Sequence, residues 1–392
     1  MSSRDDAWES ISKSQRIVVK IGTRSLLLED GSFDFKTIAT LVQDIKALMR
    51  DDGKEVILVT SGAVSAGMKK LGMKERPRDL VLQQVTAAVG NPLLLNEYIR
   101  MFGEVPVAQI LLTQQDLSNR KSFLHFLNTM EQLLEKGIVP IVNENDVVSI
   151  DELVDTKMGE SGKDYNFSDN DVLSALVAAS TGAGTLVILS DVDGLYSTHP
   201  DHDDARFIPH VDTIDEEIKR AGKDSGQGGR GGMVTKLRAA EICMQAGAWM
   251  VIGNAKRVDL PSLLAGSCKC TVFKPVAKRP DKHLWMIFAT NTSGSIKLDE
   301  GAVRAIRDGA SILLPGIIAC RGKFNRGDVI EFLDARDDSC LGKGITNFSS
   351  QEIHRFMAIY AKDPASFRNL SLGEVIHRDK MSFISMPPIP QE

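Results

Sequence analysis

The sequence has few cysteines and lacks any long hydrophobic run. Its 392 residues include 5 cysteines, all from Cys243 onward, and their odd number and spacing match no disulfide framework. This usage is typical of proteins kept in a reducing compartment, and we expect a cytoplasmic location. No apolar stretch approaches the roughly 20 residues needed to cross a bilayer, and the first residues lack the apolar core of a signal peptide. We therefore expect no membrane partner.

Several strong catalytic motifs are also absent. The sequence contains no Gly-x-x-x-x-Gly-Lys-Ser/Thr loop, no His-Glu-x-x-His and no Gly-x-Ser-x-Gly. Their absence excludes a P-loop nucleotide site, a zincin-type metal site and a serine-hydrolase elbow. Cys268 and Cys270 have no second pair of ligands at zinc-site spacing. No metal-ligating residues are predicted.

The charge is nearly balanced. Lys and Arg number 47 against 52 Asp and Glu, a formal net charge of −5, which does not favour binding to nucleic acid or to an acidic membrane. The stretch from Asp281 to Glu392 carries 14 basic and 14 acidic residues, so it lacks the basic stripe that RNA binding requires. The 43% apolar and 25% charged content is typical of a soluble globular protein. The length allows two domains.

Strand and helix patterns alternate over the first two thirds of the chain. Short β-branched runs are separated by stretches with an apolar period of 3.6 residues, such as Ile38 to Met49 behind the potential cap Asp34. The predicted strands are Ile17–Val19, Glu55–Thr60, Val105–Leu112, Ile138–Val142, Thr185–Leu189, Trp249–Ile252 and Thr271–Phe273. This alternation predicts an α/β fold, an open, mostly parallel sheet sandwiched by helices, with Thr271–Phe273 at its closing edge.

The pattern changes near Pro275–Pro280. Beyond this point, short apolar runs are divided by Gly, Asp and Asn, which is typical of a small, mainly β domain. These runs are Trp285–Ala289, Ser295–Leu298, Ser311–Leu314 and Val329–Leu333. The sequence therefore predicts two domains, residues 1–275 and residues 280–385.

The carboxyl ends of the predicted strands carry candidate functional residues, and ligands of open α/β sheets bind at this edge. Lys20 follows the first strand, with Gly22 behind it to permit a tight turn, and the small-residue run Ser61–Gly67 follows the second. Asn143–Asp146 and Ser190–Tyr196 follow later strands. Less specific explanations stay open. Lys20 can extend its amine to solvent, and Ser61–Gly67 can serve close helix packing instead of an anion site.

Two acidic residues precede the helix predicted from Val172. Asp169 and Asp171 flank Asn170 in the run Ser168–Asp171. One such side chain suffices as an N-cap. Two acids and an amide therefore favour a functional role over capping alone.

A glycine-rich segment, residues 226–236, ends in Lys236 and opens another helix. Its Gly-x-Gly-x-x-Gly string matches a dinucleotide-binding fingerprint, but a charged segment precedes it where that fingerprint requires a strand. Phosphoryl transfer requires cations, backbone amides in glycine-rich turns and carboxylates. Lys20, Lys236 and the strand-end residues provide these groups. The residues alone therefore predict a phosphotransferase and leave its substrate open.

Six segments, found in the same order, resemble the glutamate 5-kinases of the amino-acid kinase family. They are Val18–Thr23, Val59–Ala63, Asn143–Asp146, Ser168–Asp171, Ser190–Tyr196 and Gly231–Lys236. The later segments Asp299–Gly301, Leu313–Pro315 and Phe324–Asp328 resemble the PUA domain that many of these kinases carry. The resemblance implies an amino-acid kinase fold followed by a PUA-like domain. It also implies transfer of the γ-phosphoryl group of ATP, with Mg²⁺, to the γ-carboxylate of L-glutamate, the first step of proline biosynthesis.

The same resemblance implies roles for the matching residues. Lys20 and Lys236 would neutralise the γ-phosphoryl group and Asp171 would orient both lysines, which makes these three the predicted catalytic set. The predicted glutamate-binding residues are Ser61, Gly62, Ala63, Asn143, Asp146 and Asn170. Among them, the carboxylate of Asp146 would bind the α-ammonium group. The predicted nucleotide-binding residues are Lys20, Ser190, Asp191, Arg230, Gly231, Gly232, Met233, Val234, Thr235 and Lys236. Arg24 and Arg230 stand where relatives have small or hydroxyl residues, and the loop 150–167 is longer than in short bacterial forms, so contacts there are expected to differ.

Other functions stay open at this point. A sister kinase that acts on aspartate, N-acetylglutamate or carbamate would share the fold, although Asn143–Asp146 and the PUA-like segments favour glutamate. RNA binding through the PUA-like domain is the alternative from another class, and the neutral charge of that domain argues against it. The resemblance also implies a homo-oligomer, a dimer or tetramer, and a glutamyl phosphate reductase as partner. It implies feedback inhibition by proline, which we expect to bind near Asp146 with Thr113–Asp116 setting the sensitivity.

Overall fold

The computed structural model of the chain describes residues 3–28, 30, 32–148, 169–224, 232–276, 286, 292–363 and 373–383. The chain divides into two compact units, Met1–Asp281 and Lys282–Glu392, a few residues beyond the predicted boundary at 275–280. Some predicted features lie outside the described residues: the loop 150–167, Ser168, Arg230, Gly231 and all of the run Trp285–Ala289 except Met286.

The first unit alternates strands and helices. Its strands are β1 (Arg16–Ile21), β2 (Glu55–Thr60), β3 (Val107–Leu112), β4 (Val139–Glu144), β5 (Thr185–Ser190), β6 (Leu195–Tyr196), β7 (Phe207–Ile208), β8 (His210–Val211), β9 (Trp249–Asn254) and β10 (Cys270–Phe273). Its helices are α1 (Ser3–Ser12), α2 (Thr23–Leu26), α3 (Phe35–Asp51), α4 (Ala63–Leu71), α5 (Leu80–Phe102), α6 (Gln114–Ser118), α7 (Arg120–Glu135), α8 (Asn170–Thr181), α9 (Glu216–Asp224), α10 (Met233–Ala246) and α11 (Leu260–Leu264). All seven strands predicted in this unit are present; Glu55–Thr60 has the predicted ends, and the ends of the others differ by up to two residues.

Eight of these strands form one sheet in the order β3-β4-β2-β1-β5-β9-β10-β8. Neighbouring strands run parallel except β9 and β10, which are antiparallel. Helices such as α3 and α8 pack against the sheet, so the predicted open, mostly parallel α/β architecture is confirmed. The prediction that Thr271–Phe273 closes the sheet is wrong, because β8 pairs beyond β10 as the edge strand. β8 has two residues, too few to show an apolar period in the sequence.

The central strands are buried on both faces. Val18 and Val19 of β1 are fully buried, as the near-continuous apolar runs of parallel strands predict. α3 begins at the predicted cap, where the carboxylate of Asp34 accepts a hydrogen bond from the Thr37 N–H at 3.1 Å. One face of α3 packs into the core with the predicted stripe Ile38, Leu41, Val42, Ile45 and Leu48.

Glycines allow α4 and α5 to pack in unusually close contact. A Cβ added at Gly67 would lie 1.9 Å from the Thr86 carbonyl oxygen, and one at Gly90 would lie 1.7 Å from the Ala63 carbonyl oxygen. Both distances are far inside van der Waals contact, so only glycine fits at either position. The packing explanation for the small-residue run Ser61–Gly67 is therefore correct for Gly67.

The second unit is a strand-rich domain, with two α-helices among its described residues. Its strands are β11 (Gly294–Leu298), β12 (Ile317–Gly322), β13 (Val329–Asp334), β14 (Cys340–Ile345) and β15 (Met381–Phe383), in the sheet order β12-β11-β13-β14-β15, and its α-helices are α12 (Glu300–Arg307) and α13 (Ser350–Lys362). The predicted strand Ser311–Leu314 is wrong. Ile312 makes only an isolated bridge to Ile376, and the chain turns into a 3-10 helix at Leu314–Gly316. Pro315 has no N–H to give to a sheet.

All five cysteines lie among the described residues and are free thiols. None of the helices in the described part of the chain is long and apolar enough to cross a membrane.

Candidate active site

A cleft of about 820 Å³ lies in the first unit at the carboxyl ends of the central strands. The chain passes from β1 to β2 on one side of β1 and later returns to β5 on its other side. Ligands of open α/β sheets bind at such a reversal of strand order. The register pairs Ile21 with both Thr60 and Leu189. The residues that follow these three strands therefore emerge side by side at the cleft.

Two buried lysines share one buried aspartate at the cleft. Lys20 lies near the end of β1 and Lys236 in the first turn of α10, and their side chains are 8% and 7% exposed. Lys20 Nζ lies 2.5 Å from Asp171 Oδ1, and Lys236 Nζ lies 3.0 Å from Asp171 Oδ2. Thr235 Oγ1 donates a hydrogen bond to the same Oδ2 at 3.0 Å. The lysines line the cleft, whereas Asp171 is completely buried beneath them. One carboxylate therefore positions both ammonium groups.

Asp171 and Asp169 have opposite pKa shifts at the start of the same helix. Burial by itself would raise the pKa of Asp171, but the charges of Lys20 and Lys236 outweigh it and hold this pKa at about 2. Burial raises the pKa of Asp169, and the Asp171 carboxylate raises it further. Asp169 caps α8, since its Oδ1 accepts a hydrogen bond from the Asp171 N–H at 2.8 Å. Its Oδ2 is buried without a partner among the described residues, which suits a cationic ligand group.

Four polar side chains from different parts of the fold form a chain of hydrogen bonds, called the amide chain below. Asn170 Nδ2 donates to Ser61 Oγ at 2.8 Å and to Asn143 Oδ1 at 3.2 Å. Asn143 Nδ2 donates to Oδ1 of Asn91, in α5, at 3.1 Å. Ser61, Asn143 and Asn170 line the cleft, and Asn91 lies behind it. The amide chain thus offers rigid polar groups to a small substrate.

Two arginine–aspartate ion pairs line another part of the cleft. Arg24 Nη1 lies 3.1 Å from Asp191 Oδ2, and Arg257 Nη1 lies 3.0 and 3.1 Å from the two carboxylate oxygens of Asp193. Burial acts to raise the pKa of Asp191, but the hydrogen bond from Arg24 is among the contacts that outweigh it, so this pKa is lowered. Guanidinium groups at a cleft suit phosphate binding.

The cleft collects most of the predicted site residues. Those that line it are Lys20, Ser61, Gly62, Ala63, Asn143, Asp146, Asn170, Ser190, Asp191, Gly232, Met233, Val234, Thr235 and Lys236. Asp171 lies beneath the two lysines, and Arg230 and Gly231 lie outside the described residues. Asp116 is not among the cleft residues. Its carboxylate and the Thr113 hydroxyl form the capping box of α6, so its effect on proline inhibition stays a prediction.

The glycines beside the site have different reasons to be glycine. Gly62, the N-cap of α4, has φ +104°, a left-handed conformation that other residues rarely adopt. Gly22 has φ −84°, which any residue can adopt. The tight turn predicted there is present, since the Gly22 carbonyl accepts a hydrogen bond from the Ser25 N–H at 3.0 Å. A Cβ at Gly22 would lie 3.5 Å from Lys20 Nζ. Glycine at this position therefore leaves space beside the lysine amine.

Several residues in the cleft, and Asn91 behind it, were not predicted as site residues. Asp169 lies in the run Ser168–Asp171, from which Asn170 and Asp171 were predicted as site residues, so the sequence pattern also indicated Asp169. Asp193 belongs to the run Ser190–Tyr196, which was also flagged. Arg257 and Asn91 had no signal, because a single arginine in a loop or asparagine in a helix is common in any chain.

The chain is similar to known proteins over nearly its full length. Residues 15–254 match the Amino acid kinase family and residues 294–366 match the PUA domain. The chain is 40% identical over 378 residues to the glutamate 5-kinase of Dehalococcoides mccartyi strain 195, covering 94% of this chain and 98% of that protein. It is 38% identical over 376 residues to the glutamate 5-kinase of Thermus thermophilus, covering 94% and 97%. Among solved structures, carbamate kinase from Giardia lamblia bound to AMP-PNP aligns with a TM-score of 0.47 and 17% identity over 67% of this chain and 99% of that chain.

Proposed function

The chain belongs to the glutamate 5-kinases of the amino acid kinase family, and we propose that the cleft described above carries out their reaction. A γ-carboxylate oxygen of L-glutamate attacks the γ-phosphorus of ATP, the bond from that phosphorus to the β–γ bridging oxygen breaks, and L-glutamyl 5-phosphate and ADP form. A glutamate side chain is ionised at neutral pH, since its ordinary pKa is about 4.3. The nucleophile therefore needs no general base, and the protein must supply positioning and charge stabilisation.

The observation that carries the proposal is the pair of lysines held by one carboxylate. Negative charge on the γ-phosphoryl oxygens and the leaving oxygen must be stabilised during transfer. Lys20 and Lys236 contact opposite oxygens of Asp171, so both ammonium groups are fixed before ATP binds and need little reorganisation. Asp171 acts as a positioning residue. With a pKa of about 2, it stays ionised at neutral pH.

Glutamate is proposed to bind where acidic and amide side chains meet. Asp146 and Asp169 line the cleft together with the amide chain, and a carboxylate is the natural partner of the α-ammonium group. The first turn of α4, opened by Gly62, lines the same cleft. The first backbone N–H groups of a helix have no intrahelical partners and favour anions. This turn is therefore suited to a substrate carboxylate.

ATP is proposed to bind along Ser190–Asp191 and the start of α10, with Mg²⁺ on its phosphates. In the described part of the chain, no group of three or more His, Cys, Asp or Glu side chains could hold a metal ion. Mg²⁺ commonly binds through one or two carboxylates and substrate phosphates, and Asp191 lines the cleft at this point. The donor set thus fits an ion that arrives with the nucleotide. When bound, Mg²⁺ neutralises charge on the phosphate oxygens.

The proposal is tested by acceptor specificity. The full chain is incubated with ATP, Mg²⁺ and one of L-glutamate, L-aspartate, N-acetyl-L-glutamate or carbamate. ADP release is measured, and acyl phosphate is trapped as the hydroxamate. We expect turnover with L-glutamate, and Lys20→Ala and Lys236→Ala should lose it while Lys121→Ala, an exposed lysine of α7 outside the cleft, should not. Turnover of a sister acceptor in place of glutamate would contradict the proposal.

The wider context of this reaction is proposed from its chemistry. Glutamyl phosphate carries an activated carboxyl group that its own α-amine can attack, so we propose a glutamyl phosphate reductase as partner and control of this first step by proline. Proline keeps the α-carboxylate and the ammonium but has no acceptor carboxylate, so it is expected to compete with glutamate near Asp146. A proline–glutamate kinetic grid tests this, because saturating glutamate should relieve the inhibition. A cytoplasmic homo-oligomer is also proposed.

A further inference from the structure

Asn91 is a buried amide in the interior of α5 that the proposed reaction does not explain. Its side chain is 6% exposed, and its Nδ2 is buried without a partner among the described residues. It borders a small cavity of about 10 Å³, which is lined by Leu94, Leu95 and Ile141 and by the polar residues Thr60, Gln109 and Asn143. A polar group left partly unpaired in such surroundings is destabilising. Among the described residues its side chain makes one hydrogen bond, which its Oδ1 accepts from Asn143, and this bond explains its presence.

This contact gives the amide chain a direction. A primary amide has a donor end and an acceptor end. Because Asn91 presents its oxygen, Asn143 must present Nδ2 to it, which turns Asn143 Oδ1 towards Asn170. Asn170 must then present Nδ2, and the same nitrogen donates to Ser61 Oγ. The donor and acceptor ends of these side chains are therefore ordered in one direction, from Asn170 through Asn143 to Asn91.

The direction decides what the cleft offers to a ligand. Ser61 Oγ accepts from Asn170, so its hydroxyl hydrogen stays available to be donated. Asn170 Oδ1 is buried with no partner in the described part of the chain, so it stays available to accept. An amino acid supplies the two matching groups, a carboxylate that accepts and an ammonium that donates. The reversed direction would offer the opposite groups.

We propose that Asn91 is a positioning residue that sets the direction of the amide chain. Ser61 thereby presents a donor to a carboxylate of the substrate, and Asn170 presents an acceptor to its α-ammonium group. This proposal rests on glutamate being the substrate, as proposed above. Asn91 itself touches no substrate and acts only through Asn143.

Three variants in the full chain test the proposal. Asn91→Leu removes both polar ends at similar size. Asn91→Asp replaces the amide with a carboxylate, which accepts a hydrogen bond but cannot donate one. This variant therefore allows the observed direction of the amide chain and excludes the reversed one. Tyr98→Phe is the matched control. Tyr98 lies two helical turns further along α5, is fully buried, and shares a hydrogen bond of 2.8 Å with Thr60 Oγ1, outside the amide chain.

Steady-state kinetics and thermal unfolding are measured for each variant at pH 7.5. Asn91→Leu should raise KM for glutamate on the order of 10-fold, the effect of losing one hydrogen bond, and leave KM for ATP within about twofold. Asn91→Asp should keep KM for glutamate near the unmodified value. Tyr98→Phe should lower Tm without moving either KM. If Asn91→Leu does not fold, Asn91→Ala is measured in its place.

The outcomes separate the possible explanations. An unchanged KM for glutamate in the folded Asn91→Leu chain would overturn the proposal. Equal rises in both KM values would also overturn it, because they would indicate a general structural role for Asn91. An Asn91→Asp chain as impaired as Asn91→Leu would overturn it as well, because it would indicate that the amide chain runs in the reversed direction. Failure of the unmodified chain to phosphorylate glutamate would instead overturn the proposed function. This activity is measured separately, in the unmodified chain.

Discussion

Asp169 and Asp171 form a matched pair for testing how the site affects stability. Both lie at the start of α8, and both can be changed to asparagine at almost constant shape. An acid whose pKa is lowered by folding stabilises the fold when ionised, and an acid whose pKa is raised destabilises it. We therefore expect Asp171→Asn to lower the free energy of unfolding at neutral pH and Asp169→Asn to leave it unchanged or raise it.

The expected size follows from two independent arguments. Lowering the pKa of Asp171 from 3.8 to about 2 corresponds to roughly 2 kcal/mol of stability by linkage. Removing the carboxylate also leaves Lys20 and Lys236 buried without their counter-charge, and breaking a buried pair in this way costs about 3–5 kcal/mol. The expected loss for Asp171→Asn is therefore several kcal/mol. Asp169→Asn keeps the cap, because asparagine caps helices as well as aspartate does, and it removes a like charge beside Asp171.

Urea unfolding of the full chain, followed by circular dichroism and by the fluorescence of its tryptophans, measures both effects at pH 7.5. The sign is checked by lowering the pH. The folded pKa of Asp171 lies below the unfolded one, so its contribution is complete above about pH 4 and is lost as the pH falls towards about 2. The unmodified chain and Asp171→Asn should therefore converge in stability over that range. If Asp171→Asn is as stable as the unmodified chain at pH 7.5, or if Asp169→Asn loses as much stability as Asp171→Asn, the two lysines do not make Asp171 a stabilising charge.

Four further outcomes are expected. Lys20→Ala and Lys236→Ala should each lower kcat by ~10²–10³, and a normal kcat with a raised KM for ATP would mark that lysine as a ground-state binder. Asp146→Ala should raise KM for glutamate far more than KM for ATP, because the α-ammonium loses its counter-charge, whereas equal rises would point to a folding defect. Arg24→Ser should raise KM for ATP on the order of 10-fold and Arg24→Lys less; an unchanged KM would remove this arginine from the nucleotide site. A chain ending after Asp281 should fold and phosphorylate glutamate, because the described cleft lies in the first unit, and a folded but inactive fragment would contradict this.

Features set by neighbours along the chain were predictable from the sequence. The β-branched runs and the apolar period of α3 are local, as is the cap at Asp34, and all are present in the structure. The placement of Lys20, Ser61 and Asn143 at one edge was also predictable, because parallel strands bring their carboxyl ends together. The strand β8, with two residues, was not predictable. The run Ser311–Leu314 has the composition of a strand, but in the folded chain it makes only an isolated bridge and leads into a 3-10 helix.

Local sequence patterns were therefore enough to predict the sheet, the edge that carries the site and most of the residue types at the cleft. Which of these residues interact with one another depends on the folded arrangement of the chain. Asp171 and Asp169 are near neighbours with similar side chains, yet their pKa values shift in opposite directions because Lys20 and Lys236 meet only one of them. Asn91 carries no local signal and acquires a role from a contact with β4. Coulomb energies and desolvation depend on distance and burial between groups far apart in the chain, and these quantities exist only once the chain has folded.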